Sequence, residues 1–188
     1  MRTRMGIGDR VTARLRARRQ SAEGIKMGGR FIVTCRSPNG NLKWRAIAEN
    51  LVFNAGLNHV LDQTFTGAAS QVSTWYVGLI GSSPVPTASE VLSSHAWTEF
   101  ATYDDATRPT FNDTRVSQTV DNSATTASFT LTSNSSIIGG AFLVSNSTKA
   151  SETGLMLCGA AFSGGNKAGD DGDILNVTYS FTAADDGV

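Results

Sequence analysis

From residue 28 onward, apolar and polar positions alternate in short runs separated by clusters of Gly, Ser, Asn and Thr. A period of two over four to eight residues marks a strand with one buried face. "GGRFIVTCR" (28–36) predicts the first strand, and the "SPNGN" after it carries the Asn-Gly pair of a tight hairpin turn. "LKWRAIAENLVF" (42–53) is the expected return strand. Its even positions Leu42, Trp44, Ala46 and Ala48 share one face, with Lys43 and Arg45 on the other.

The alternation breaks at "NAGLNHVLDQTF" (54–65). There Leu57, Val60, Leu61 and Phe65 recur at three and four residues, which predicts a short amphipathic helix. "STWYVGLIGSSPVP" (73–86) returns to strand and ends in a glycine-proline loop. A helical turn is expected at 88–92, and "HAWTEF" (95–100) has no assignable period. Four further strands are expected from Val116 onward, among them "TASFTLT", "IIGGAFLVS", "GLMLCGAAF" and "DILNVTYSFTA", separated by polar turns such as "SNSTKASETG". There is no internal repeat and no heptad. The expected fold is all-β: an antiparallel, jelly-roll-like β-sandwich over 28–188 with one short inserted helix, preceded by an extended basic arm over 1–27.

Composition agrees with that class. The 188 residues allow one medium domain plus an extension, and 17% charged residues with abundant Gly, Ser, Thr and Asn fit turns better than helical bundles. Cys35 and Cys158 each sit in an apolar or alternating run and read as two buried thiols, with one disulfide as the alternative. No apolar run approaches the length of a membrane-spanning helix. The first twenty residues lack the apolar middle of a secretory signal. They resemble an arginine-rich transit peptide, but the presence of Met1 sets the expectation of a retained arm.

Charge changes the picture most. The chain has 16 basic and 16 acidic residues, yet residues 1–36 hold ten basic and two acidic side chains, net +8, leaving −8 for 37–188. Within the arm, "RVTARLRARR" (10–19) contains five arginines. Asp9 is placed to cap a helix running to about Glu23, where Gly24 is a stop signal. On that helix Arg10, Arg14 and Arg18 share a face, with Val11 and Leu15 beside them as an apolar stripe too narrow for a membrane surface. The stripe suits a shallow groove on a neighbouring molecule. Arg2, Arg4, Arg10, Arg14, Arg16, Arg18 and Arg19 are therefore the expected partner-binding residues. Nucleic acid is a less favoured partner, because the arm has no aromatic residue to stack on bases and the acidic body repels a polyanion.

Motifs for catalysis are sparse. His59 lies inside the predicted helix, and His95 has serines before it and Glu99 after it but no nucleophile motif around it. No enzyme activity, cofactor or metal is expected. "GDDGD" (169–173) reads as an acidic hairpin turn; Asp170, Asp171 and Asp173 are the carboxylates a calcium ion would take, without the spacing of a helix-loop-helix calcium site. The Asn-x-Ser/Thr triplets at Asn112, Asn134, Asn146 and Asn176 read as turn and strand composition rather than glycan sites.

The strings "LKWRAIAENLVFNAGLNHVLD", "TWYVGLIG", "SHAWTEF", "TRPTF", "GGAFLVSNSTK" and "GDILNVTYSFTA", in that order, resemble a family of small virion structural proteins of tailed bacteriophages. The resemblance covers most of the chain after residue 30 and leaves out the arm. It implies a capsid decoration, or cement, protein on the capsid exterior, with the major capsid protein and copies of itself as partners in a homo-oligomer. Trp75, Tyr76, Trp97 and Phe142 are then expected as core or interface packers. A tail or tail-fibre component is the alternative within structural proteins, and a carbohydrate-binding module that recognises the host surface is the alternative from another class.

Overall fold

Strand β1 (Ile25–Arg36) buries Phe31, Val33 and Cys35 and turns Arg30 and Arg36 to solvent, the alternation its sequence predicts. In the computed structural model, which describes residues 24–82 and 84–185, it begins three residues before the expected start at Gly28. The Asn-Gly turn leads into β2 (Leu42–Glu49), which pairs antiparallel with β1. At Asn50 the return strand breaks: β3 (Leu51–Val52) pairs in the opposite layer. Asn50 is tied at the crossing, its amide NH donating to the Gly29 carbonyl (2.8 Å) and its side chain to the Tyr179 hydroxyl (3.0 Å).

Helix α1 (Asn54–Leu61) runs into a π-helical turn over Asp62–Thr66 that ends at Gly67. The remaining strands are β4 (Tyr76–Ile80), β5 (Glu99–Phe100), β6 (Thr114–Val116), β7 (Thr119–Asp121), β8 (Ala127–Thr130), β9 (Ser136–Ile138), β10 (Gly140–Val144), β11 (Met156–Ala161), β12 (Lys167–Gly169) and β13 (Ile174–Asp185). One sheet has the order β2-β1-β13-β7-β6, with β8 pairing the same long β13; the other has the order β3-β11-β10-β4-β5. A short β9–β12 pair stands beside them, and every pairing is antiparallel. The chain is thus an all-β sandwich with one short helix. The segment at 88–92, expected as a helical turn, is instead a pair of turns. Glu90 organises it by accepting hydrogen bonds from the Thr87 and Ala96 amides and the Trp97 indole.

Two cores follow from this layering. Between the sheets, Phe31, Val33, Phe129, Leu175, Val177 and Tyr179 of one layer meet Val77, Leu79, Ala141, Leu143, Cys158 and Ala160 of the other. The far face of the second sheet is covered as well: Ile80, Phe142, Val144 and Met156 pack with Phe53, Leu92 and Trp97. That double burial explains why "YVGLI" and "GAFLV" are nearly continuous apolar runs rather than alternating ones. The 82–98 segment, opaque as a sequence, is the cover of this second core.

Phe142 sits at its centre. In register it lies between Gly78 of β4 and Gly159 of β11, and it packs on Trp97 with ring centroids 4.9 Å apart. A methyl group at Gly78 would collide with the Phe142 ring. We therefore expect Gly78→Ala to lower the unfolding free energy by about 1–3 kcal/mol, the usual cost of overpacking a close-packed core. Urea denaturation monitored by tryptophan fluorescence reads this directly; an unchanged midpoint would contradict the packing.

Candidate functional site

Arg108 is the most buried charge in the described residues, and sequence reasoning gave it no role. Its side chain is 0% exposed and that of its partner Glu99 6%. The pair is bidentate, with Nε to Oε1 at 2.8 Å and Nη2 to Oε2 at 2.6 Å. The guanidinium also donates to the Asn146 carbonyl (2.7 Å) and lies 5.5 Å from the Phe142 ring centroid. Glu99 takes a further bond from the Ala150 amide at 2.9 Å. This arrangement fixes residues 99–108 against the 145–154 turn, so "SHAWTEF", "TRPTF" and "GGAFLVSNSTK" meet at one point. Lys149 closes the same junction, donating to the Tyr103 carbonyl (2.7 Å) with its ammonium 3.7 Å from the Tyr103 ring centroid. A sequence signal existed: Arg108 is the sole Lys or Arg between residues 46 and 114, in a span containing seven acids.

The catalytic cluster weighed around His95 does not assemble. The ring stacks on Trp97 at 4.0 Å, and Nδ1 lies 2.6 Å from the Trp97 carbonyl, while Glu99 is committed to Arg108. His59 is half-buried, edge-on to Trp75 at 6.3 Å.

The acidic turn is occupied by a lysine. A bulge where β1 meets β2 shifts the register between Cys35 and Arg36, which turns Leu42 outward (55% exposed) against the expected pattern. The extra residue is Lys43, and its ammonium reaches Asp170 (2.8 Å) and the buried Asp173 (2.6 Å). Bulges commonly re-aim a side chain in this way. Asp173 also accepts from the Asp170 amide at 2.8 Å. Asp171 stands apart, its amide donating to Asn134. The three carboxylates therefore do not converge, and among the described residues no group of three His, Cys, Asp or Glu is placed to hold a metal. Cys35 and Cys158 are free and buried, and burial pushes both thiols up to about 12, leaving them unreactive near neutrality.

Helix α1 departs from its expected orientation. Gly56 lets the helix backbone rest on Leu157, where a Cβ would collide with the β11 backbone, and the Asn54 amide donates to the Ala88 carbonyl at 2.8 Å. The half-buried His59 and Val60 turn inward over a cleft of about 380 Å³ walled by Trp75, Phe111 and Phe181. Among the described residues, none lining that cleft is a Lys or Arg. Leu57, Leu61 and Phe65, expected on the buried face, point to solvent and are 36%, 53% and 76% exposed. Three large apolar side chains are thus exposed in line along the helix.

The predicted partner-binding residues Arg2, Arg4, Arg10, Arg14, Arg16, Arg18 and Arg19 lie outside the described residues. Their root is described. The last β1–β2 partner of β1 is Arg30, opposite Glu49, while β1 continues to Ile25 paired only with β13. The ribbon tip stands clear of β2, and Ile25 on it is 75% exposed. No helix among the described residues is long and apolar enough to cross a membrane. Comparison of the chain with protein-family models, with curated proteins and with solved structures gave no match.

Two outcomes are expected. Glu99→Gln or Arg108→Met should each cost about 3–5 kcal/mol in urea unfolding, because each leaves a buried group without its charged partner. Arg108→Met combined with Glu99→Gln should cost less than the two single changes added together. Separately, the Lys43 ammonium holds the Asp170 carboxyl below its ordinary value of 3.8. A depressed carboxylate stabilises the fold above its unfolded pKa, and that contribution is lost as pH falls through the lower folded value. Lys43→Met should therefore flatten the loss of thermal midpoint below about pH 4, measured by circular dichroism.

Proposed function

We propose that this chain is a structural virion protein of a tailed bacteriophage, a capsid decoration protein that bridges major capsid protein subunits from the capsid exterior through its N-terminal arm. The observation that carries the reading is the placement of charge. Residues 1–23 carry seven arginines and two acids, net +5, and precede a body of net −5 whose β1–β13 ribbon tip stands clear of β2. An arm so rooted adds contact area on a neighbour without enlarging the domain. Contacts repeated by shell symmetry then become effectively permanent. Its arginines suit the task because a guanidinium grips a carboxylate with two parallel hydrogen bonds. The body's own polar groups favour rigidity over chemistry: the buried charges are spent on internal ties, and the His95 neighbourhood is packed rather than poised.

A second reading has one observation in its favour. Trp75 is only half-buried and walls a cleft without cations, as an aromatic platform for a neutral sugar would; the burial of Trp97 gives this reading nothing.

The test is co-sedimentation with purified, expanded shells that lack this protein, comparing the full chain with one missing residues 1–23. Saturable binding at high copy number is expected, weakened at least about tenfold by the truncation and by raised salt. If neither form binds, the shell is not the partner, and the tail-fibre and glycan readings replace this one.

A further inference from the structure

The outward ridge of α1 has no covering partner within the described chain, and its surroundings identify what would fit it. Leu57, Leu61 and Phe65 repeat every four residues along the helix and its π-helical extension. Their exposures of 36%, 53% and 76% rise along that line, away from the anchored N-terminal end at Asn54. Residues 46–107, which include the ridge, contain six acids and no Lys or Arg. Glu90 and Glu99 are committed internally, and Asp62 sits on the ridge helix itself. The C-terminal end of α1 adds its partial negative charge there. The matching occupant is an apolar line of the same spacing flanked by cations.

The chain contains one such sequence. Val11 and Leu15 are also four residues apart on the helix expected from Arg10, and Arg10, Arg14, Arg16, Arg18 and Arg19 flank them. Ridges of i±4 side chains interdigitate in the commonest mode of helix packing. We propose that the Leu57–Leu61–Phe65 ridge is the seat for the arginine-rich N-terminal segment of a second copy of this chain. The second copy, rather than the same one, is favoured by the ribbon, which starts the arm at a tip standing clear of β2. Leu15 lies nine residues before Gly24, about 14 Å along a helix and up to about 30 Å when extended, a reach that serves an abutting copy. This rests on the arm being the chain's means of attachment, and it assigns that arm a docking face between copies. The contact with the shell is then made by the remaining arginines of the arm.

Cysteine crosslinking of the full chain tests this without shells. Native Cys35 and Cys158 are buried and do not compete. Chains carrying Leu15→Cys are mixed with chains carrying Phe65→Cys under mild oxidation, with Asp105→Cys replacing Phe65→Cys as the exposed control. We expect a mixed disulfide dimer to form at least roughly tenfold faster than in the control, because docking raises the local thiol concentration. High salt should slow it, and Leu61→Glu, an exposed change that leaves the core intact, should abolish the advantage. Equal rates with the control would overturn the proposal. So would a chain carrying both Leu15→Cys and Phe65→Cys that closes internally in preference to dimerising at micromolar concentration. Crosslinking that succeeds while shells fail to bind would uphold the seat and remove the decoration reading, so the two failures are distinguishable.

Discussion

The guanidinium of Arg108, held by Glu99 and lying against Phe142, is the interaction on which the second layer of this protein depends. Residues 82–108 and 145–154 contain little regular structure of their own, yet they cover one face of a sheet whose central strands are apolar on both sides. Without a fixed cover, Ile80, Phe142, Val144 and Met156 would face water. A buried ion pair is a poor source of net stability compared with a hydrophobic substitute, but its directionality fixes one arrangement of the loops. Breaking it would remove several kcal/mol from a fold whose whole margin is about 5–15 kcal/mol. The pair therefore specifies the cover more than it strengthens it.

The strands were legible because their chemistry is local. β1, the inward side of β2 and β13 announce their buried faces by alternation, and Asn39-Gly40 marks the first hairpin. What escaped was decided by partners distant in sequence. Leu42 reads as an inward residue until the bulge delivers Lys43 to Asp170 and Asp173, more than 120 residues away. The break at Asn50 depends on Tyr179, and Glu99 cannot be told from a catalytic neighbour of His95 until Arg108 is seen to claim it. Periodicity located α1, but it could not reveal that the helix rests on Gly56 and leaves its leucines outside.

That inversion bears on the candidate site. An amphipathic pattern states that a face will be covered and leaves open whether the cover is the same domain. Here the domain covers the other side of the helix, over the cleft behind His59 and Val60, and the apolar ridge is left exposed. The candidate interaction surface was thus half-visible in the sequence, as an apolar stripe without a named partner.

Charge placement links these features. A cation-free stretch of 62 residues carries the ridge and much of the cover, while the basic residues concentrate in the arm and in β1–β2. On the proposed reading, a positive arm would meet the negative body of another copy, arm to body. Such head-to-tail contacts are heterologous, so they either close into a ring or propagate. In the proposed decoration role, a shell lattice would supply the fixed spacing that decides between those outcomes. A basic arm reaching an acidic, apolar-ridged neighbour is therefore the kind of contact a repeated surface protein requires, and it uses no catalytic group.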